Sequence, residues 1–161
     1  MPKLIKQSTI IDNVWRTLEK ETSECPEGEA VLVSLERFLE NPDLVIGRAD
    51  AGVWLDSDQE PRALEQFIDK LSLIAINFPK FVDGRGYSYA RQLRDQYQYQ
   101  GELRAIGDVL HDQLFFMKRC GFDSFAVRED KDIEVAKLGL TAFSECYQAA
   151  TDQPDPLFRR R

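Results

Sequence analysis

Four short apolar runs alternate with four longer polar segments over residues 53–150, and this alternation restricts the fold more than any other feature of the sequence. Each run is too short for a typical helix and is therefore a predicted strand. The runs occupy residues 53–56, 73–78, 102–107 and 124–128. Strands that alternate with helices pair in parallel through right-handed crossovers. The pattern thus predicts an α/β protein whose parallel sheet is built from four consecutive strand–helix units.

The helix predicted between the first two strands has the clearest periodicity. Its apolar residues recur at the spacing i, i+3, i+4 and i+7 of one helix face. They are Leu64, Phe67, Ile68 and Leu71. The alternation itself fits both a doubly wound sheet and half of a (β/α)₈ barrel, so both arrangements remain open.

The segments on either side of this block are predicted to be smaller. Residues 1–28 combine short apolar stretches with a polar run that contains proline and glycine, which predicts an N-terminal hairpin and a linker, a small β appendage. Residues 29–150 are predicted to form a single α/β domain, because a chain of 161 residues most simply builds one core. Residues 151–161 contain two prolines and three terminal arginines and are predicted to be an extended tail.

Charge and composition exclude several classes of protein. The net charge of −7 argues against nucleic acid or an anionic membrane surface as partner, and no apolar run is long enough to span a membrane. The three cysteines are odd in number and far apart, and the N-terminus lacks the apolar core of a secretory signal. Together these features predict a cytoplasmic protein with reduced thiols. Because the chain has one histidine and no CxxC pair, no metal site is predicted.

A polar loop within residues 78–91 is the first candidate for a binding site. It leaves the carboxyl end of the second predicted strand and opens a helix, which is where open α/β proteins bind ligands. Two glycines let the backbone turn there and let an anion approach the N–H groups closely. The predicted anion ligands of this loop are Lys80, Gly84, Arg85, Gly86 and Ser88.

Side chains that follow the other predicted strands complete this candidate site. Asp108 follows the third strand and Arg128 the fourth, and the carboxyl ends of parallel strands share one edge of a sheet. Asp83 and Asp108 are the candidate catalytic residues, one or the other acting as general base, and Arg128 is a further predicted anion ligand. The block 80–128 has eight basic and six acidic residues, a charge of +2 that leaves −9 for the rest of the chain. The alternative is a salt-bridge network in which the two arginines only neutralise the two aspartates.

Other reactive residues and nucleotide motifs add little. His111 follows Asp108 by three residues and is predicted to be a solvated histidine in a first helical turn rather than an acid–base catalyst. Cys120 ends a helix among phenylalanines and is predicted to be packed rather than nucleophilic. Gly84-Arg-Gly86 is not a GxGxxG fingerprint, and no Walker pattern is present. The residues therefore indicate no particular cofactor, and its identity stays unknown.

Several separated stretches of the central block resemble a known family. They are Phe78-Pro-Lys-Phe-Val-Asp-Gly-Arg-Gly-Tyr-Ser88, Ala90-Arg91, Gly101-Glu-Leu-Arg-Ala105, Gly107-Asp-Val109, Asp112-Gln-Leu114 and Arg119-Cys-Gly-Phe-Asp123. In this order they are similar to the bacterial domain-of-unknown-function family nine hundred and thirty-four. The similarity covers residues 50–150. Members of that family are often encoded beside assimilatory sulfite reductase and are labelled oxidoreductases without an established reaction, so the resemblance implies a role in sulfur assimilation and supplies no catalytic residues.

Two functions follow as hypotheses. In the first, the chain is a small enzyme or binding protein that holds an oxyanion or a phosphorylated metabolite at the carboxyl edge of its sheet. In the second, it is a non-catalytic accessory protein that docks on sulfite reductase or a redox partner. The predicted partners are accordingly a small anionic ligand or sulfite reductase.

Overall fold

The computed structural model describes residues 2–22 and 24–160. In this part of the chain eight strands form one sheet in the order β2-β1-β8-β7-β6-β5-β4-β3. The strands are β1 (Lys3–Lys6), β2 (Thr9–Asp12), β3 (Arg16–Thr17), β4 (Val31–Ser34), β5 (Ala51–Leu55), β6 (Leu73–Phe78), β7 (Glu102–Gly107) and β8 (Ser124–Phe125).

The sheet is mixed, which corrects the prediction of a purely parallel one. Strands β3 to β8 pair in parallel with their neighbours in the chain, but β1 is antiparallel to both β2 and β8. The antiparallel pairs arise because the N-terminal hairpin adds to the free edge of β8, where Ile5 lies opposite Phe125. An unpaired strand edge exposes a row of N–H and C=O groups, and the hairpin satisfies them.

Four regular strand–helix units are also not confirmed. The helices are α1 (Leu35–Glu40), α2 (Arg85–Arg91), α3 (Leu114–Cys120), α4 (Ile133–Leu138) and α5 (Leu157–Arg160). The connection after β5 is instead a 3-10 helix, Pro61–Lys70, and α2 continues as a π-helix over Gln92–Gln96. In the segment predicted as an extended tail, α5 forms one helical turn. None of the helices in the described residues has the length and apolar character needed to cross a membrane.

Strand order and one short connection distinguish the two arrangements left open by the sequence. Strands β3 to β8 lie in chain order with no reversal, as in half of a (β/α)₈ barrel. Only three residues join the edge strands β2 and β3, so Asp12 and Arg16 lie at most about 14 Å apart. In a flat sheet, seven strand spacings would separate these edges by roughly 34 Å. The sheet therefore curls into a half-barrel.

The two faces of the curled sheet are packed differently. Helices cover the convex face, where alternate strand residues such as Val53, Ile76 and Ala105 pack against Leu64 and Met117. The concave face carries the opposite set of strand residues. Its apolar cluster consists of Leu32, Trp54, Leu73, Ala75 and Ile106, with Trp15 and Ala126 packed against it. The helices thus build the main core on one side and leave the concave side to a smaller apolar layer.

Candidate anion site on the concave face

The concave face of the sheet encloses a pocket of about 760 Å³. Its walls come from strands at both ends of the sheet and from the short link between β2 and β3, because the curl brings these elements together. The lining residues are Pro2, Lys3, Asn13, Trp15, Thr17, Leu32, Arg104, Ile106, Gly107, Ala126, Val127, Arg128, Glu129, Lys131 and Ile133. The pocket therefore combines an apolar wall with several cationic side chains.

Arg104 is the buried charge of this pocket. It lies in the middle of β7 and only 2% of its surface is exposed. Its Nε donates to Oε1 of Glu102 at 3.0 Å and to Oγ of Ser124 at 3.3 Å, and its Nη2 donates to the same Glu102 oxygen at 2.6 Å. Its Nη1 is buried and has no hydrogen-bond acceptor among the described residues. A buried donor without an acceptor is uncommon in proteins and calls for an explanation.

The strand alternation explains why an arginine occupies this place. Glu102, Arg104 and Ile106 share the concave side of β7, and the carboxylate lies close enough to neutralise the guanidinium. Lys6 of β1 also contacts Glu102, at 2.6 Å. Burial acts to raise the pKa of Glu102, but the hydrogen bond from Lys6 and the charge of Arg104 outweigh burial and lower that pKa. The carboxylate is thus ionised at neutral pH and holds two cations.

Trp15 lies over this arginine. Its ring centroid is 5.1 Å from the guanidinium carbon of Arg104, within the range of a cation–π contact. The backbone N–H of Trp15 donates to Oδ1 of Asn13, which orders the link between β2 and β3. Trp15 is half-buried and belongs to the three-residue connection between β2 and β3, so this connection packs one of its side chains on the buried arginine.

Arg128 is the one predicted ligand that also lines this pocket. Its Nη1 donates to Oδ1 of Asp108 at 2.8 Å and its Nε donates to Oδ1 of Asp130 at 2.9 Å. These two hydrogen bonds raise the pKa of Arg128. The second oxygen of Asp108 accepts from the backbone N–H of Phe81 at 2.8 Å, so this carboxylate links the loop after β6 to the end of β8.

The other predicted ligands lie on the loop after β6 or in the first turns of α2, and none of them lines the concave pocket. Arg85 donates through Nη2 to Oδ2 of Asp83 at 2.7 Å and to Oγ of Ser57 at 3.0 Å. Hydrogen bonds from Arg85 hold the pKa of Asp83 well below its usual range. Lys80 and Ser88 are exposed. The arrangement is that of the salt-bridge alternative, and ligand binding by these residues stays a prediction.

The two glycines of this loop have different surroundings. Gly84 precedes α2 and is exposed. Gly86 is buried, and a Cβ there would lie 2.7 Å from Cζ of Phe78. Packing of α2 against β6 is therefore a sufficient reason for glycine at position 86.

Two further reactive residues, His111 and Cys120, are not among the residues that line the concave pocket. His111 is exposed at the start of a 3-10 turn, His111–Gln113. Burial raises the pKa of Cys120 to about 11, so this thiol stays protonated at neutral pH. Within the described residues, no three His, Cys, Asp or Glu side chains are placed to hold a metal ion.

Sequence reasoning missed Arg104 and Trp15. The signal for Arg104 was the pair of opposite charges Glu102 and Arg104 at alternate positions of a strand whose other residues are apolar or glycine, Glu102–Gly107. Trp15 gave no signal in the sequence. It lies on the link between β2 and β3, and only the curl of the sheet brings this link close to Arg104.

Comparison with known proteins places the chain in one family. The model of the family described as "Bacterial protein of unknown function (DUF934)" matches residues 52–158. The chain belongs to this family. None of the curated proteins matches it.

The residues that line the concave pocket lie partly inside and partly outside the range that the DUF934 model matches. Arg104 and the wall residues from β7 onward lie inside the matched range, whereas the N-terminal hairpin and Trp15 lie outside it. The family segment therefore supplies the buried cation, and the preceding 51 residues supply Trp15 and part of the rim.

Proposed function

We propose that this protein binds a small anion in the concave pocket, with Arg104 as the principal ligand, and that it does so in the cytoplasm in connection with sulfite reduction. The observation that carries the proposal is the buried Nη1 of Arg104, which has no acceptor in the part of the chain that the structure describes. The cytoplasmic setting is supported by the unpaired state of Cys25, Cys120 and Cys146. The setting in sulfur assimilation rests on the family resemblance.

The energetics favour an anion over an empty pocket. Leaving a buried donor unpaired costs about 1–3 kcal/mol, and more when the group is charged. An anionic acceptor would remove this cost and add a charge-assisted hydrogen bond, of the kind that contributes about 1.5–3 kcal/mol. Because Glu102 already neutralises Arg104 and Lys6 supplies a second cation, the incoming anion would meet a local excess of one positive charge.

Arg128 connects this proposal to the predicted base Asp108. Arg128 lines the pocket and pairs with Asp108. An anion that drew Arg128 towards itself would release this carboxylate, which could then accept a proton from the ligand. Asp83 is less suited to that role, because both of its carboxylate oxygens already accept hydrogen bonds from the side chain of Arg85, two residues further along the chain.

Calorimetric titration tests the binding proposal. Wild type is titrated with sulfite, sulfate, phosphate and adenosine phosphosulfate, beside Arg104→Met and Arg85→Ala. We expect at least one anion to bind wild type below millimolar concentration and to bind Arg104→Met at least tenfold more weakly, with Arg85→Ala unchanged. Circular dichroism confirms that each variant is folded.

The opposite effect of the two substitutions would assign the anion site to a different part of the protein. A tenfold loss in Arg85→Ala with no loss in Arg104→Met would place the anion on the loop after β6, with Lys80, Gly84, Gly86 and Ser88 as its neighbours. Absence of binding to wild type by any of the four anions would reject anion binding altogether.

A second candidate function is that of an accessory protein docking on sulfite reductase. The observation that favours it is a group of large apolar side chains with more than 60% of their surface exposed near the C-terminus. They are Leu138, Phe143, Tyr147 and Phe158. Copurification with the reductase, lost in a Phe143→Ser, Tyr147→Ser double variant and kept in Val82→Ser, would support this function.

A further inference from the structure

The concave pocket is larger than an inorganic oxyanion needs, and part of its wall is apolar. Resting on the function proposed above, we infer that the anion bound beside Arg104 carries a flat aromatic body and is about the size of a mononucleotide. The first observation is the volume of about 760 Å³. Pockets of about 300–1,000 Å³ hold ligands of drug size, whereas sulfite or phosphate occupies only a small part of such a space.

The second observation is the chemistry of the wall. Part of the pocket wall is formed by aliphatic side chains, which offer no hydrogen bond to an inorganic anion. They are Leu32, Ile106, Ala126, Val127 and Ile133. A wall of this kind is stabilised by contact with an apolar or aromatic surface, because that contact removes water from both.

The third observation is Trp15. Its ring lies over the guanidinium of Arg104, and Nη1 is shielded from solvent. Because Nη1 is buried, an anion can reach it only if a neighbouring side chain shifts, and we take this side chain to be Trp15, which is half-buried and packs on the guanidinium. The shift would expose one ring face to the pocket. A flat aromatic ligand can stack on that face, so the same movement that admits the anionic group would create a place for the aromatic body.

The distribution of charge is consistent with a ligand that has two ends. Arg104 lies deep in the pocket, whereas the exposed or half-exposed cations Lys3, Arg128 and Lys131 belong to its rim. Glu129 also lines the pocket, and Asp130 pairs with both Arg128 and Lys131, so the positive charge of the rim is largely compensated. The space between the rim and Arg104 is left to the apolar wall.

The experiment compares probes that differ only in one part of the ligand. Inorganic phosphate, adenosine and adenosine 5′-monophosphate are titrated into wild type, Trp15→Leu, Trp15→Phe and Arg104→Met, with flavin mononucleotide and riboflavin as a second matched pair. Binding is followed by calorimetry and by tryptophan fluorescence, in which Trp15→Phe serves to subtract the signal of Trp54. Circular dichroism establishes that the variants are folded.

We expect at least one mononucleotide to bind at least tenfold more tightly than both phosphate and its own phosphate-free partner. Trp15→Leu should lose this advantage, Trp15→Phe should keep most of it, and Arg104→Met should bind at least tenfold more weakly. The fluorescence of Trp15 should change on binding, because its ring leaves the guanidinium.

Three results would overturn the inference in different ways. If phosphate binds as tightly as either mononucleotide and its binding still depends on Arg104, the aromatic body is wrong and the proposed anion site stands. If neither the mononucleotides nor the inorganic anions bind wild type, the inference and the proposed function fail together. Binding of adenosine or riboflavin as tightly as their phosphates would reject the anionic group alone.

Discussion

The buried arginine of the concave face, Arg104, differs in setting from the exposed arginines Arg85 and Arg128 at the carboxyl edge of the sheet. Arg104 is 2% exposed and has one nitrogen without an acceptor in the described chain, whereas Arg85 and Arg128 are exposed and pair with aspartates. An exposed pair exchanges contacts with water and contributes little, while a buried charge makes a large free-energy difference when a partner is gained or lost. The comparison teaches that a buried, incompletely paired arginine gains more from an added anionic partner than an exposed arginine that is already paired, which is why the proposed site is centred on Arg104.

Removing the carboxylate on the concave face should have the largest effect. Glu102→Ala leaves Arg104 buried without its counter-ion and also releases Lys6, so we expect a loss of about 3–5 kcal/mol in the free energy of unfolding. Urea denaturation measures it, with Asp83→Ala as the matched change at the carboxyl edge. An equal or larger loss in Asp83→Ala would reverse the comparison.

Replacing the whole buried pair should recover most of that loss. In Glu102→Leu, Arg104→Met the desolvated charges are gone, and substitutions of this kind are often neutral or stabilising by about 1–4 kcal/mol. The double variant should therefore unfold at a higher urea concentration than Glu102→Ala while losing the bound anion. If it is no more stable than Glu102→Ala, the pair is required for folding and the argument for a ligand at Nη1 weakens.

Gly86→Ala separates packing from anion binding at the loop after β6. The added Cβ would lie 2.7 Å from Cζ of Phe78, so the helix or the ring must shift. We expect a loss of about 1–3 kcal/mol in stability, typical of overpacking, with unchanged affinity for the anion. Retained stability with a loss of anion affinity would return the site to this loop.

The smallest expected difference between the concave face and the carboxyl edge concerns how the free energy of unfolding depends on pH and salt. The folded-state pKa values of Glu102 and Asp83 are both lowered, so each group stabilises the fold above its unfolded pKa, about 4, and this contribution is lost as the pH falls through the folded pKa. Glu102→Gln and Asp83→Asn should each flatten the acid limb of the stability curve. Salt at about 1 M should abolish the effect of Asp83→Asn, whose partner is exposed, and spare that of Glu102→Gln.

The helix-covered, convex face of the sheet was easier to predict from the sequence than the concave face. The apolar runs became β5, β6, β7 and β8 with shifts of a few residues, and Leu64, Ile68 and Leu71 of the predicted helix face are buried. Phe67 is only half-buried, in contact with Phe38, because this segment forms a 3-10 helix whose period differs from that of an α-helix. Short-range periodicity thus indicated which residues are buried but not the type of helix.

The sequence alone determined the α/β character, the family and the ladder of consecutive strands, because these depend on spacing within short windows and on motifs in order. Only the tertiary structure decided that β1 closes the edge of β8, that the sheet curls, and that Trp15 meets Arg104. Residues 15 and 104 are far apart in the chain, and no local pattern records which distant strand edge is free to pair. The concave pocket exists because two edge strands are tied by three residues, and the consequence of that tie appears only when all eight strands are in place.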